Sequence, residues 1–441
     1  MSPNGGDRSF VLPFAFAMTV SMWAVAYFCR LPAVMAPSWV VLGLMLVMVA
    51  LWGWLTGRRT PGGWLAGVMV GAAASVLNLL ILGSLLVPTE GGGVGPSALW
   101  WIPGSILVIA LISGGFAVAN MGGTEVTGGV ADWTALLSKV AVAATFLLLV
   151  AGGLVTSNEA GLAVVDWPNT FGSNMFLYPL ARMTGGIYYE HAHRLFGALV
   201  GLTTIVLAVR LWRSDRRRWL HGVGAAAVVL VIVQGVLGGL RVTGGFTLST
   251  AEADMAPSIA LAVFHGILGQ IFLGVMVGIA VVTSRLWFEA PPAEQRPHVK
   301  DDRTFQTWLI VLLIIQLVLG ALQRHLSVFL VVHISLAAVV VLLAVMVGGR
   351  AWGLYHGTWP VQRMGQTLIG MTSIQVALGI AALAVTQGKA IVGSPTTIEV
   401  TIATAHQATG AALLALAVAL FLWTSRLFRQ AEVSTLERYN V

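Results

Sequence analysis

Twelve apolar runs of about twenty residues recur along this chain of 441 residues, and they leave it few folds to choose from. A helix rises about 1.5 Å per residue, so roughly 20 residues cross the hydrocarbon of a bilayer. Inside lipid every backbone N–H and C=O must be satisfied within the spanning structure itself. Nothing in the chain alternates apolar and polar residues as barrel strands do. The expectation is an all-α polytopic membrane protein with about 12 transmembrane helices. They fall roughly at 11–29, 37–56, 64–87, 99–118, 136–156, 187–210, 220–242, 259–284, 305–323, 327–349, 364–386 and 399–424. Composition agrees: 57% of residues are hydrophobic and 9% charged, which no water-soluble domain matches.

The formal net charge of +7 does not imply nucleic acid, because Lys and Arg sit in short connections between spans. One set of alternate connections, with both tails, holds Arg8, Arg58, Arg59, the cluster Arg213 and Arg216 to Arg218, Arg285, Arg296, Lys300, Arg303, Arg350, Arg363, Arg426 and Arg429. The other holds only Arg30, Arg182, Arg241, Arg324 and Lys389. The excess of positive charge predicts both termini in the cytoplasm and a multi-pass protein of the plasma (inner) membrane. The first run lacks a small-residue cleavage site, so it reads as a first span that also targets the chain. A single cysteine, Cys29, excludes an intrachain disulfide.

Four histidines lie within these runs: His193, His265, His333 and His406, at intervals of 72, 68 and 73 residues. An imidazole inside a lipid-embedded helix is costly and marks a functional site. Each lies about six or seven residues into a span that enters from the outer side, roughly 10 Å deep. Four residues after each comes a small one: Gly197, Gly269, Ala337 and Gly410. Residues four apart share a helix face, so the missing side chain leaves room for something flat. Small residues also simply permit close helix packing. Recurrence at one spacing and one depth favours ligands of a metal-centred ring between helices, and haem is the expectation.

The chain is also internally duplicated. His193 to His333 is 140 residues, and both His265 to His406 and Gln234 to Gln375 are 141. The segments QGVLGGL (234–240), QLVLGAL (316–322) and QVALGIA (375–381) are near-copies. Such symmetry marks duplicated membrane bundles, whose interiors hold cofactors. The expected organisation is an appended four-span module of unknown role over 1–135, a first four-helix bundle over 136–285 and a cytoplasmic linker over 286–304. A second bundle follows over 305–425, and a cytoplasmic tail over 426–441.

The halves differ in one place. In the second, the paired spans are joined by a few residues around Arg324–Leu326; in the first, by about thirty (157–186). Long ordered loops are often lids. This one leads into Glu190, His191, His193 and Arg194. Glu190 and His193 are three apart and share a helix face. A carboxylate there can act as a base, stabilise a developing cation or orient the ring, or it can be an interfacial charge favoured by the helix dipole. Arg194 is either a snorkelling cation or the partner of a haem propionate. Arg241, Arg324 and His325 are further candidates for a propionate or for support of a ligand ring. His191 is an alternative ligand or proton relay, and Asp166-Trp167-Pro168 reads as a turn.

Residues 136–425 resemble the haem A synthase family. The resemblance rests on the E-x-x-H-R element (Glu190, His193, Arg194), on the segment GGLVTS…GLAVVDWP (152–168), and on one histidine in each even-numbered span of an eight-helix core. It implies an enzyme that oxidises the C8 methyl group of haem O to the formyl group of haem A, for assembly of terminal oxidases. It further implies that His333 and His406 ligate a resident haem b, that His193 and His265 bracket the substrate haem, and that Glu190 is the catalytic residue. The partners implied are haem O, haem A, the lipid bilayer, haem O synthase, oxidase assembly factors and a membrane electron partner, with no nucleic acid. Haem sites would lie toward the outer face. Some members of the family carry a cysteine pair in an outer loop; this chain has none there, so a thiol-dependent step does not transfer. Two other readings fit parts of the pattern. A haem b electron carrier or quinol oxidoreductase would use the same ligands but need neither Glu190 nor the long loop. A 12-span transporter would fit the repeats but not four histidines at one depth.

Overall fold

The computed structural model describes residues 8–83, 86–88, 94–119, 130–246, 256–386 and 394–431. Lys389, counted above among the outer basic residues, lies outside them. Among the described residues twelve helices are long and apolar enough to cross a membrane, the number expected, and the protein is an all-α polytopic membrane protein. In chain order the helices are α1 (Val11–Cys29), α2 (Ser38–Arg59), α3 (Gly63–Leu82), α4 (Ala98–Val118), α5 (Val130–Ser157), α6 (Gly185–Ser214) and α7 (Arg218–Thr243). After these come α8 (Ile259–Val282), a short α9 (Arg285–Glu289), α10 (Val299–Leu326), α11 (Leu330–Leu354), α12 (Trp359–Thr386) and α13 (Thr397–Leu427).

Several helices run past the apolar stretch that betrays them. The helix expected from 305 begins at Val299, and its first turn carries Asp301 and Asp302. Acidic residues there suit the positive end of the helix dipole, so the helix continues where hydropathy falls away. The connection before it has structure of its own. It holds α9 and a strand, β1 (Glu294–Arg296), which pairs in parallel with β2 (Phe428–Gln430) after the last span. Apolar runs give no hint of this pair.

The chain divides into two compact units, one of residues 1–262 with 393–400, the other of 263–392 with 401–441. The division falls in the first turn of α8, whereas the sequence repeat groups α8 with α5 to α7. His193 therefore belongs to the first unit, and His265, His333 and His406 to the second.

In the first unit, α2, α3 and α4 meet through small residues. A Cβ at Gly53 or Gly67 would come within 2.5 or 2.6 Å of the Ser113 carbonyl oxygen, and one at Gly71 within 2.7 Å of that of Ile109. Without a hydrophobic driving force between helices in lipid, such backbone approach supplies the dispersion contacts. Helix α1 is well buried against α2, α3 and α5, with Trp23 Nε1 donating to Asn78 Oδ1 at 3.0 Å. It also reaches α6. Tyr27 stacks on Tyr188 at 5.7 Å, both Trp23 and Tyr27 meet Phe196 edge-on, and Tyr188 Oη donates to the Tyr27 carbonyl at 2.7 Å.

In the second unit, α11 and α12 touch at Gly348 and Gly365, where a Cβ on either would sit within 3 Å of the other's carbonyl oxygen. Leu309, Val347, Leu368, Leu420 and Trp423 form part of its apolar core. The end of the unit away from the histidines is closed by a polar knot. Buried Asp302 accepts from Arg350 Nε at 2.5 Å and from the Tyr355 hydroxyl, and Arg303 donates to the Phe428 carbonyl at 2.6 Å. Burial, with Asp302 as hydrogen-bond partner, pushes the Tyr355 phenol up from its ordinary pKa.

Candidate functional site

Helix α6 starts sharply. Thr184 is extended, and Gly185 takes a positive φ of 51°, a backbone conformation glycine adopts without strain. The first turns then carry Tyr188, Glu190, His191, His193 and Arg194 on one rigid element.

Glu190 is 4% exposed, and both its oxygens are engaged. Oε1 accepts from Arg194 Nη2 at 2.8 Å, and Oε2 accepts from the Val164 N–H at 3.0 Å. Arg194 gives its other donors to the long loop: Nη1 to the carbonyls of Asp166 (2.7 Å) and Asn169 (3.0 Å), Nη2 to that of Val164 (3.0 Å). Buried carbonyls need donors, and an irregular loop cannot supply them from its own ladder. A guanidinium with five donors in one plane meets that need from a single position. Arg194 therefore binds the loop, a role its sequence context did not suggest.

The loop has further ties. Asp166 is buried and accepts from the N–H groups of Phe171 and Gly172, each at 2.8 Å, across the turn that follows the cis Trp167–Pro168 bond. Buried His191 pairs its Nδ1 with Thr170 Oγ1 at 3.1 Å, and its ring lies 5.2 Å from that of Tyr178. Burial raises the Tyr178 phenol above its usual pKa. From α7, Arg241 donates to the Gly161 carbonyl at 2.7 Å, and the Trp167 indole lies so close to Gly239 that a Cβ there would come within 2.2 Å of it. The long loop is thus a folded cap, latched to α6 by one ion pair and to α7 by one arginine and one glycine.

The histidines sit eight (His193), six (His265), three (His333) and nine (His406) residues into their helices, a wider spread than the spans in the sequence suggest. Three of the rings face a glycine on the helix before their own. A Cβ at Gly152 would lie 2.9 Å from His193 Cε1, one at Gly320 3.2 Å from His333 Cε1, and one at Gly379 3.1 Å from His406 Cε1. Beside Gly197, four residues after His193, the space is open; beside Gly410, four after His406, lies the Gln375 amide. His333 and His406 are near enough for their charges to interact. Arg324 is exposed and His325 half-buried in the last turn of α10, where the helix dipole favours positive charge.

Among the described residues no three His, Cys, Asp or Glu side chains gather as a bare metal ion requires. Iron already held by a macrocycle needs only one or two axial ligands. Single imidazoles in apolar helices, backed by glycine, fit that requirement. So does the buried Nδ1 of His406, which has no hydrogen-bond partner among the described residues.

These features define a class: a polytopic helical membrane protein with lone imidazoles in its spans and a folded cap latched onto the helix of one of them. Residues 135–332 match the COX15-CtaA family, described as cytochrome oxidase assembly protein, and over this segment the chain belongs to the haem A synthase family. A haem A synthase of Lysinibacillus sphaericus (strain C3-41) is 34% identical over 114 residues, which is 25% of this chain and 36% of that protein. The chain thus matches about a third of the length of this curated relative. The family match takes in Glu190, His193, Arg194, Arg241, His265, Arg324 and His325, and stops one residue short of His333.

Proposed function

We propose that the chain is a haem-modifying membrane oxidoreductase of the haem A synthase type, converting the C8 methyl of haem O to the formyl of haem A for terminal oxidase assembly. The observation that carries this reading is the latched cap over Glu190 and His193, inside the segment that matches the family. His193 and His265 would ligate the substrate haem. His333 and His406 would hold a haem b, and their assignment rests on the internal duplication, since the family match ends before them. Bound there, a haem b supplies one-electron transfer without an open iron position.

The chain's own residues do the rest. The cap excludes bulk water from the ring of His193, which strengthens every electrostatic interaction beneath it. Glu190 lies on the face of α6 that it shares with His193, held by Val164 and Arg194, with its negative charge fixed beside the ligand. That charge favours positive charge developing on a nearby carbon, and a carboxylate in this position also takes up a proton. Arg241 and Arg194 extend the positive field at the cap, suited to haem propionates. The partners are haem O and haem A, the bilayer, haem O synthase, oxidase assembly factors and a membrane electron donor or acceptor. The histidine end faces outward across the plasma membrane, with both termini in the cytoplasm.

The test is an optical spectrum of the purified protein from cells supplied with haem O, followed by extraction and chromatography of its haems. Haem O, a hydroxylated haem or haem A is expected beside haem b. Haem b alone would make the protein an electron carrier, and no haem at all would sink both readings.

A further inference from the structure

The three repeated segments share a pattern, Q-x-x-x-G: Gln234 with Gly238, Gln316 with Gly320, and Gln375 with Gly379. Each lies on the helix immediately before one that carries a histidine. In the second unit the pattern meets the imidazoles directly. Gly320 and Gly379 are the glycines that clear the rings of His333 and His406. The Gln316 amide Nε2 lies 3.1 Å from His333 Nδ1, 3.3 Å from its Nε2 and 2.9 Å from its backbone carbonyl oxygen. The Gln375 amide lies against Gly410, one turn from His406, and the Gln375 backbone carbonyl interacts with the His406 ring without the geometry of a full hydrogen bond.

The spacing has a physical basis. In a helix the carbonyl of residue i points along the axis toward residue i+4. A glycine at i+4 leaves that carbonyl uncovered, and a ring from the next helix can approach both. The side chain at i lies on the same face. Q-x-x-x-G therefore offers an imidazole a gap, a carbonyl and an amide at once.

We propose that Gln316 and Gln375 are positioning residues for His333 and His406, fixing the rotation and tautomer of the two haem b ligands. This rests on the reading of those histidines as haem ligands. The Oε1 atoms of Gln316 and Gln375 are buried and have no hydrogen-bond partner among the described residues. A half-turn of the Gln316 amide brings its Oε1 to Nδ1, where it accepts the Nδ1–H bond. The Nε2 lone pair is then left for iron, and the orphaned oxygen is satisfied. Metal-bound histidines are generally held this way by the hydrogen bond of their other nitrogen. The first unit departs from the pattern at one place. Four residues before Gly152, which clears His193, stands Leu148. The ligand assigned to a substrate that must leave is the one whose facing helix carries no glutamine at this position.

The full-length protein, purified with its haem, tests this. Haem affinity, the reduced-minus-oxidised spectrum and the haem b midpoint potential are compared for wild type, Gln316→Leu, Gln375→Leu and Gln316→Glu. Each leucine variant is expected to lower haem affinity roughly ten- to a hundredfold and to move the midpoint. Gln316→Glu keeps an acceptor for Nδ1–H, so it should retain the haem and lower the midpoint by making the ligand more basic. Wild-type affinity and midpoint in both leucine variants would overturn the proposal. So would equal loss in Gln316→Glu and Gln316→Leu, which marks a packing role alone. A wild-type protein without haem b would instead refute the haem reading beneath it, and the proposal with it.

Discussion

His193 and His333 stand in duplicated positions, yet their surroundings are organised for opposite ends. Around His193 the charged and polar groups hold a loop: Glu190, Arg194, His191 and Arg241 all bond to residues between Gly161 and Thr170. Around His333 the polar group holds the ring itself, through Gln316. Both rings lie over a glycine, Gly152 or Gly320. A duplicated bundle thus kept its imidazole and its gap in both copies, and diverged in what the neighbouring side chains secure. A secured loop suits a ring that is admitted and released. A secured ring suits one that stays.

The largest expected effect breaks the first half of that comparison. Glu190→Ala leaves the buried guanidinium of Arg194 without its counter-charge. Removing one partner of a buried pair costs about 3–5 kcal/mol. The cap should open, seen as rapid proteolytic cleavage between 157 and 185 and a lower unfolding temperature in detergent. Glu190→Gln keeps an acceptor for the Val164 N–H but loses the charge, so the cap should stay more protected than in the alanine variant. If haem conversion is lost in the glutamine variant while the cap stays closed, the carboxylate acts in the chemistry. Equal conversion in wild type and Glu190→Gln would reduce Glu190 to a latch.

A smaller effect is expected on the α7 side. Gly239→Ala places a Cβ within 2.2 Å of the Trp167 ring, and the indole must move. Overpacking of this kind costs about 1–3 kcal/mol. Gly197→Ala, where nothing lies within 4 Å, serves as the matched control and should leave cap protection unchanged. Equal protection in both variants would mean that Trp167 does not fasten the cap.

Much of this was legible in the chain. Twelve apolar runs name twelve spans because lipid length and backbone satisfaction admit little else. Glu190 and His193 share a face because helices have a fixed period. The cap's fastenings were not legible, and the reason is physical. Arg194 bonds to backbone carbonyls, which every residue possesses, so no pattern of side chains announces its partners. Trp167 over Gly239 is a contact across 72 residues that depends on the loop's path. The pairing of β1 with β2 joins two short polar stretches that carry no periodicity. The Q-x-x-x-G segments were visible as symmetry, but their meaning needed the neighbouring helix. The first four spans, silent in sequence for want of histidine, prove to include α1 packed on the helix of His193.

That contact supplies the smallest effect, and it asks whether the first helix supports the His193 side of the comparison. The last carbonyls of a helix have no partner within it. Tyr27 stands in the final turn of α1, and its carbonyl accepts from the Tyr188 hydroxyl, two residues before Glu190. Tyr188→Phe removes that donor and should cost about 0.5–1.5 kcal/mol. Tyr27 has a buried hydroxyl of its own, without a hydrogen-bond partner among the described residues. A buried hydroxyl left unpaired is destabilising, so Tyr27→Phe should be neutral or stabilising while keeping the stacked ring. Thermal unfolding of the two variants side by side therefore gives opposite signs from the same chemical change on two rings in contact. If Tyr188→Phe also alters the spectrum of haem bound at His193 while the haem b bands stay fixed, α1 braces the ligand helix. If Tyr27→Phe proves the more damaging of the two, the bond from Tyr188 to the end of α1 is not what joins these helices.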